Sequence, residues 1–65
     1  MELYYLYHIP EPNKKFYFVD IDDEKGAKFT ELKSQASIFT RESAMSMQTN
    51  LKNRYGLDLQ MELKQ

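Results

Sequence analysis

Four carboxylates between residues 20 and 31 form the most motif-like group in the chain. They fall on positions 1, 3, 5 and 12 of the count used by a calcium-binding loop, and they are Asp20, Asp22, Glu24 and Glu31. Such a loop needs a glycine at position 6, where this chain has Lys25, and Gly26 comes one residue late. The flanking segments resemble strands, whereas a calcium loop joins helices. We therefore interpret the stretch as a solvated hairpin turn and predict no metal site.

His8 is the only histidine, and it lies beside Ile9 and Pro10 near the end of an apolar segment. A catalytic base needs a second group to orient it and a pocket in which to act, and no serine is near His8 in the sequence. The chain has no cysteine to act as a nucleophile or zinc ligand. We predict no catalytic residue, no cofactor and no enzymatic activity.

Six aromatic residues are concentrated in the first eighteen positions. They are Tyr4, Tyr5, Tyr7, Phe16, Tyr17 and Phe18. Aromatic rings on an open sheet can stack on the bases of single-stranded nucleic acid, but that function needs a basic surround. The positive charge of Lys14 and Lys15 is offset here by the nearby carboxylates of Glu2, Glu11 and Asp20. We therefore expect some of these rings to form the core and others to be covered by a partner protein.

The composition limits the classes of protein and partner. Sixty-five residues make one domain, residues 1–65, and a chain of this length is usually only marginally stable alone. Without cysteine it has no disulfides, so oligomerisation remains as a means of stabilisation. The formal net charge of −1 argues against binding driven by phosphate neutralisation. No segment predicts a membrane span or a signal peptide, and we expect a cytoplasmic protein.

Two aromatic strands and a third short strand are predicted before residue 31. The first covers residues 2–9 and ends at Pro10, and residues 9–15 form a loop or wide hairpin. The second covers residues 15–22, and Gly26 supplies the positive φ for the next turn. Residues 27–32 predict a third strand. Residues 31–39 favour a helical turn, with a short strand over 36–39 as the alternative.

One amphipathic helix is predicted between Thr40 as N-cap and Gly56 as C′ residue. Its apolar stripe contains Ala44, Met47, Leu51 and Tyr55 at spacings of three and four. Residues 57–65 then alternate as a final strand. Its inward residues are Leu57, Leu59, Met61 and Leu63, and the residues between them are polar.

This order predicts an α+β fold of the form β-β-(β)-α-β. One helix packs on one face of a small antiparallel or mixed sheet of three to four strands. If the helix crosses back over the sheet, the final strand lies beside the first one and parallel to it.

The chain resembles small β-β-α-β accessory proteins of bacteriophages and prophages of Gram-positive bacteria. The resemblance rests on an aromatic first hairpin and on the segment "ASIFTRESA", in which Ala36, Phe39, Thr40 and Ala44 occupy the family's pattern positions. It implies a viral origin and, with it, the host cytoplasm as location. It assigns no functional residue.

From these features we predict a non-enzymatic accessory protein that self-associates and binds a host or viral protein, for example as an inhibitor of a host factor. One helix covers one sheet face, so a second copy of the chain is expected on the other. The residues assigned to self-association or partner contact are Tyr4, Leu6, Phe16, Phe18 and Met45. The alternatives are a single-stranded nucleic-acid-binding protein and a small structural or assembly subunit.

Overall fold

The computed structural model describes residues 1–65 as one antiparallel sheet with one helix packed on it. The elements in chain order are β1 (Leu3–Glu11), β2 (Lys14–Asp22), β3 (Gly26–Thr30), a 3-10 turn (Lys33–Gln35), β4 (Phe39–Thr40), α1 (Arg41–Tyr55) and β5 (Gln60–Leu63). The predicted α+β class is confirmed, and the sheet has five strands because the two-residue β4 joins it. The helix is too short and too polar to cross a membrane.

The first hairpin is tighter than the sequence suggested. β1 continues through Pro10 to Glu11, and the register of the β1–β2 pair shifts between His8 and Glu11. Proline is tolerated in a strand at such an irregularity because its missing N–H is not needed there. Pro12 and Asn13 then make the turn, with Asn13 at φ 70°. Proline followed by a residue of positive φ is typical of a type II turn.

The second turn has the predicted form. Gly26 has φ 87°, and the carboxylate of Asp22 accepts hydrogen bonds from the backbone N–H groups of Glu24 (2.8 Å) and Lys25 (3.4 Å). The flanking elements are strands β2 and β3. The acidic stretch is therefore a hairpin turn, as the sequence indicated. No group of three or more acidic or histidine side chains lies close enough to share a metal ion.

The segment between β3 and the helix contains both structures that the sequence left open. Lys33–Gln35 form a 3-10 turn, and Phe39–Thr40 form a strand that pairs with Leu3 and Tyr4 of β1. Between them, the backbone N–H of Ser37 donates to the carbonyl of Phe18 at 3.1 Å. The strand is shorter and later than the alternative over residues 36–39.

The last strand lies beside the first, but the two are antiparallel, so the predicted parallel pairing is wrong. β5 pairs with β1 through Tyr4–Leu63, Tyr5–Glu62, Leu6–Met61 and Tyr7–Gln60. The reason is the point at which the helix begins. Thr40 of β4 pairs with Leu3 at the start of β1, and the helix begins at the next residue, Arg41. The helix then runs toward the end of β1. The short connection after Gly56 therefore sends β5 back toward the start of β1.

The core lies between the helix and one face of the sheet. Its buried members are Leu6, Phe18, Ala44, Leu51 and Leu59. Met47 packs against this cluster, so three of the four predicted stripe residues contribute to the core. Tyr55 is the exception: it is exposed at the end of the helix, where its ring lies over Gly26. Of the predicted inward residues of the final strand, Leu59 is buried, Leu57 and Met61 pack against the cluster, and Leu63 is exposed.

Both predicted helix ends are confirmed. The Thr40 side chain accepts a hydrogen bond from the backbone N–H of Ser43 (3.3 Å), which satisfies one of the free donors of the first turn. Gly56 lies in the left-handed region at φ 69°, and its N–H donates to the carbonyl of Lys52 at 2.9 Å. Glycine is favoured here because a side chain strains this backbone conformation.

Gly56→Ala should lower the free energy of unfolding by about 1 kcal/mol. A Cβ at this position would meet no atom within 4 Å, so the loss comes from the backbone conformation alone. Gly56→Asn is the matched control, because asparagine tolerates positive φ better than alanine. Urea denaturation of both variants checks the difference. Equal stability of the alanine variant and the parent would contradict the cap assignment.

Candidate functional site

The residues predicted to face a partner do not form one surface. Leu6 and Phe18 are buried in the core beneath the helix, and Tyr4 packs against that core. The assignment of these three to an outer face is therefore wrong. Because both faces of β1 carry large apolar groups, side-chain alternation alone did not show which face meets the helix.

Phe16 and Met45, the other two predicted contact residues, have different environments. Phe16 is half-buried, with its ring centroid 6.2 Å from that of His8. Met45 remains 52% exposed on the outer part of the helix. Only Met45 keeps the position that its predicted role requires.

The sheet face opposite the helix carries a cluster of three tyrosines, Tyr5, Tyr7 and Tyr17. The Tyr5 and Tyr17 rings meet edge to face with centroids 5.6 Å apart, and the Tyr7 and Tyr17 centroids are 6.2 Å apart. Edge-to-face contacts of this kind are favourable because the positive edge of one ring meets the negative face of the other. Tyr5 and Tyr17 are buried although no helix covers this face.

Three charged side chains cover the tyrosine cluster. Lys15 Nζ lies 4.0 Å from the centroid of Tyr7, and Lys33 Nζ lies 5.6 Å from that of Tyr5. Both ammonium groups form ion pairs with Glu62, and Lys33 does so at 2.7 Å. The hydroxyl of Tyr17 also donates to the Glu62 carboxylate at 3.2 Å. The aliphatic parts of the lysines can thus shield the rings while the charged ends pair with one another.

The pKa values of this lysine–glutamate cluster reflect these contacts. Burial alone would raise the pKa of Glu62, but hydrogen bonds and charges from Lys15 and Lys33 outweigh it and hold that pKa below its ordinary value. The hydrogen bond to Glu62 is the largest influence on each lysine, and it raises the pKa of both. All three groups are therefore charged at neutral pH.

Glu62→Gln should destabilise the protein at neutral pH and have little effect in acid. A carboxylate with a depressed pKa stabilises the fold above its unfolded pKa of about 4.3, and this contribution is lost as the pH falls through the folded pKa. The raised lysine pKa values give a second limit, because their contribution is lost as the pH rises above about 10.4. Melting temperatures of parent and variant between pH 2.5 and 8 measure the effect. A difference that stays constant across this range would contradict it.

The sequence did not predict this cluster. In the sequence, Glu62 is one of the polar residues of the final strand, and Lys15 lies beside the aromatic residues of the second strand. β2 and β5 flank β1, as shown by Tyr7, which pairs with both Tyr17 and Gln60. Lys15 and Glu62 lie on the same face of these two strands, so their side chains meet across β1. A lysine on β2 and a glutamate on β5 were the available signal, but their opposite charges have meaning only once the strand order is known.

His8 has an aromatic environment. Its ring centroid is 4.4 Å from that of Phe29, and burial lowers the pKa of His8. A histidine that stays neutral between aromatic rings can act as a packing residue of the sheet. This is the role that its contacts support.

β5 has an edge that no strand covers. It pairs only with β1, and the N–H of Lys64 donates to the carbonyl of Leu3 at 2.7 Å. Backbone groups of alternate residues point the same way in an antiparallel pair, so those of Glu62 also point toward β1. The N–H and C=O groups of Met61 and Leu63 consequently point away from the sheet.

Exposed apolar side chains lie near this β5 edge. Leu63 of β5 is 41% exposed, and Met45 of the helix is 52% exposed. Gln48 lies on the side of the helix nearest β5, because its side-chain amide donates to the carbonyl of Leu59 at 2.8 Å. Met45 is three residues from Gln48 and therefore lies on the same side of the helix. The β5 edge thus combines free backbone hydrogen-bonding groups with apolar surface.

No family model matches the chain, and no curated protein or solved structure shows a significant similarity to it.

Proposed function

We propose that this chain is a non-enzymatic accessory protein that forms a homodimer and binds a host or viral protein. The observation that carries the proposal is the β5 edge, where unpaired backbone groups lie beside the exposed side chain of Leu63. Free strand edges readily pair with another chain. The formal net charge of −1 favours contacts of this apolar and backbone type over electrostatic attraction.

The polar clusters support binding rather than catalysis. In the lysine–glutamate cluster every charged group is paired, and the carboxylate of Asp22 is used by its own turn. His8 contacts aromatic rings rather than a nucleophile. These contacts are ones that stabilise the fold.

The tyrosine cluster supports a protein partner over a nucleic acid. Bases would have to stack on rings that Lys15 and Lys33 already cover, and both lysines are paired with Glu62. Phosphate binding requires lysines that are free to replace counterions. The proposed viral origin is supported by the sequence resemblance alone.

Light scattering over a range of concentrations tests the self-association, and affinity capture with nuclease treatment tests the class of partner. We expect a dimer at micromolar concentration and a captured protein that nuclease does not release. A parent that stays at about 7.8 kDa at every concentration would overturn the dimer. Capture that depends on nucleic acid would overturn the protein partner.

A further inference from the structure

We infer that two copies of the chain pair through β5, antiparallel and with Met61 at the two-fold axis, so that the two sheets become one. This inference rests on the proposed dimer and specifies how it forms. It also assigns roles to two charged residues outside the core, Asp58 and Lys64. The occupant of the β5 edge is therefore a second copy of this chain.

The other free edge of the sheet is less suited to pairing. β3 pairs only with β2, and its central residue, Lys28, carries a charge in the middle of a five-residue strand. A central lysine is a common protection of an edge strand against unwanted pairing. β5 has no lysine within Gln60–Leu63, and its one charged residue, Glu62, is held in the lysine–glutamate cluster.

The two-fold symmetry and the direction of the backbone groups restrict the register. A symmetric antiparallel pair must place one residue opposite its own copy. Met61 points its N–H and C=O groups outward, so two copies of Met61 can exchange both hydrogen bonds. The next outward residues, Leu59 and Leu63, then pair with each other across the axis. This register uses the whole strand and the residue before it.

The charged side chains favour an axis at Met61 over an axis at the next residue. With Met61 at the axis, Lys64 of each copy lies opposite Asp58 of the other. An axis at Glu62 would place two carboxylates opposite each other, which is unfavourable. An axis at Leu63 would depend on residues 64 and 65, which lie beyond the end of β5.

The side chains on the helix side fit the same arrangement. Leu63, which is exposed in the single chain, comes to lie beside Leu59 of the other copy. Leu59 O already accepts from Gln48, and a carbonyl oxygen has a second lone pair for the N–H of Leu63. Because the axis is perpendicular to the sheet, both helices lie on one face and turn their Met45 sides toward each other.

Amide hydrogen exchange measured by NMR at several concentrations tests the edge without changing the protein. The N–H of Met61 should exchange rapidly in the dilute monomer and become at least 10-fold more protected when light scattering shows the dimer. Lys64 is the internal control, since its N–H is bonded to Leu3 within the chain at every concentration. A dimer in which Met61 exchange is unchanged would overturn the β5 interface and leave the proposed dimer intact. A chain that never dimerises would overturn both.

Charge reversal tests the register. Asp58→Lys and Lys64→Asp should each raise the dimer Kd by about 10-fold, because each creates two like-charged pairs where opposite charges met. The combined variant should return the Kd to near the parental value. Asp23→Lys is the control: it reverses a charge in the exposed turn before β3, away from β5, and should leave the Kd unchanged. No rescue in the combined variant would overturn this register.

Discussion

Leu51→Ala should lower the free energy of unfolding by about 2–5 kcal/mol. Leu51 is fully buried and is packed in one cluster with Leu6, Phe18, Ala44 and Leu59. The truncation removes apolar contacts and leaves a cavity that the short helix cannot close without moving its caps. Because small domains have only about 5–15 kcal/mol of stability, much of the population should unfold at physiological temperature.

Urea denaturation followed by circular dichroism measures this loss, at a concentration where the parent is monomeric. Met45→Ala is the matched control, since it truncates a long apolar side chain on the same helix at an exposed position. The control should change stability by no more than about 0.5 kcal/mol. A Leu51 variant as stable as the control would show that the helix does not pack on the sheet through this residue.

The helix was predictable because its signals are local. Thr40, Gly56 and the periodic positions of Ala44 and Leu51 each act within one or two turns of the chain. Caps and periodicity depend little on what the helix packs against, so the sequence determined both ends and the buried stripe. The turn at Gly26 was predictable for the same reason.

The sheet was less predictable because its signals depend on distant residues. Leu6 and Tyr5 are neighbours in β1, and either could have faced the helix on hydrophobicity alone. The choice depends on strand order and on how the other face is covered. Lys15, Lys33 and Glu62 provide that cover, although they are far apart in sequence. Tyr5 and Tyr17 are thus buried within the single chain, on the face where the sequence led us to expect a second copy.

In the candidate interaction site, too, the part on the helix was predictable from the sequence and the part on the sheet was not. Met45 was predictable because it flanks the apolar stripe of a helix whose register was clear. The β5 edge became apparent only when the structure showed β5 paired with β1 alone. The backbone direction of Met61 follows from a single hydrogen bond between Lys64 and Leu3, which no residue pattern encodes.

The second large effect is expected for Leu6→Lys, which should unfold the protein at pH 7 instead of separating a dimer. Leu6 is fully buried, and an ammonium group there would have no carboxylate among the residues of its core cluster. Burying an unpaired charge costs several kcal/mol, which is comparable to the total stability of a small domain. Leu6→Met, a change that nearly conserves volume, should cost less than about 1.5 kcal/mol. Ile9→Lys, at an exposed position of the same strand, should be tolerated.

The pH dependence of this variant separates unfolding from loss of the dimer. Burial lowers the pKa of a lysine, so the folded state binds fewer protons than the unfolded state, and the stability of Leu6→Lys should rise as the pH increases from 7 toward 9.5. Loss of a dimer alone would leave a folded monomer whose circular dichroism matches the parent at pH 7. Such a folded monomer would mean that Leu6 faces away from the helix and that the two faces of the sheet have been interchanged. A spectrum that is unfolded at pH 7 and gains structure toward pH 9.5 would place Leu6 beneath the helix.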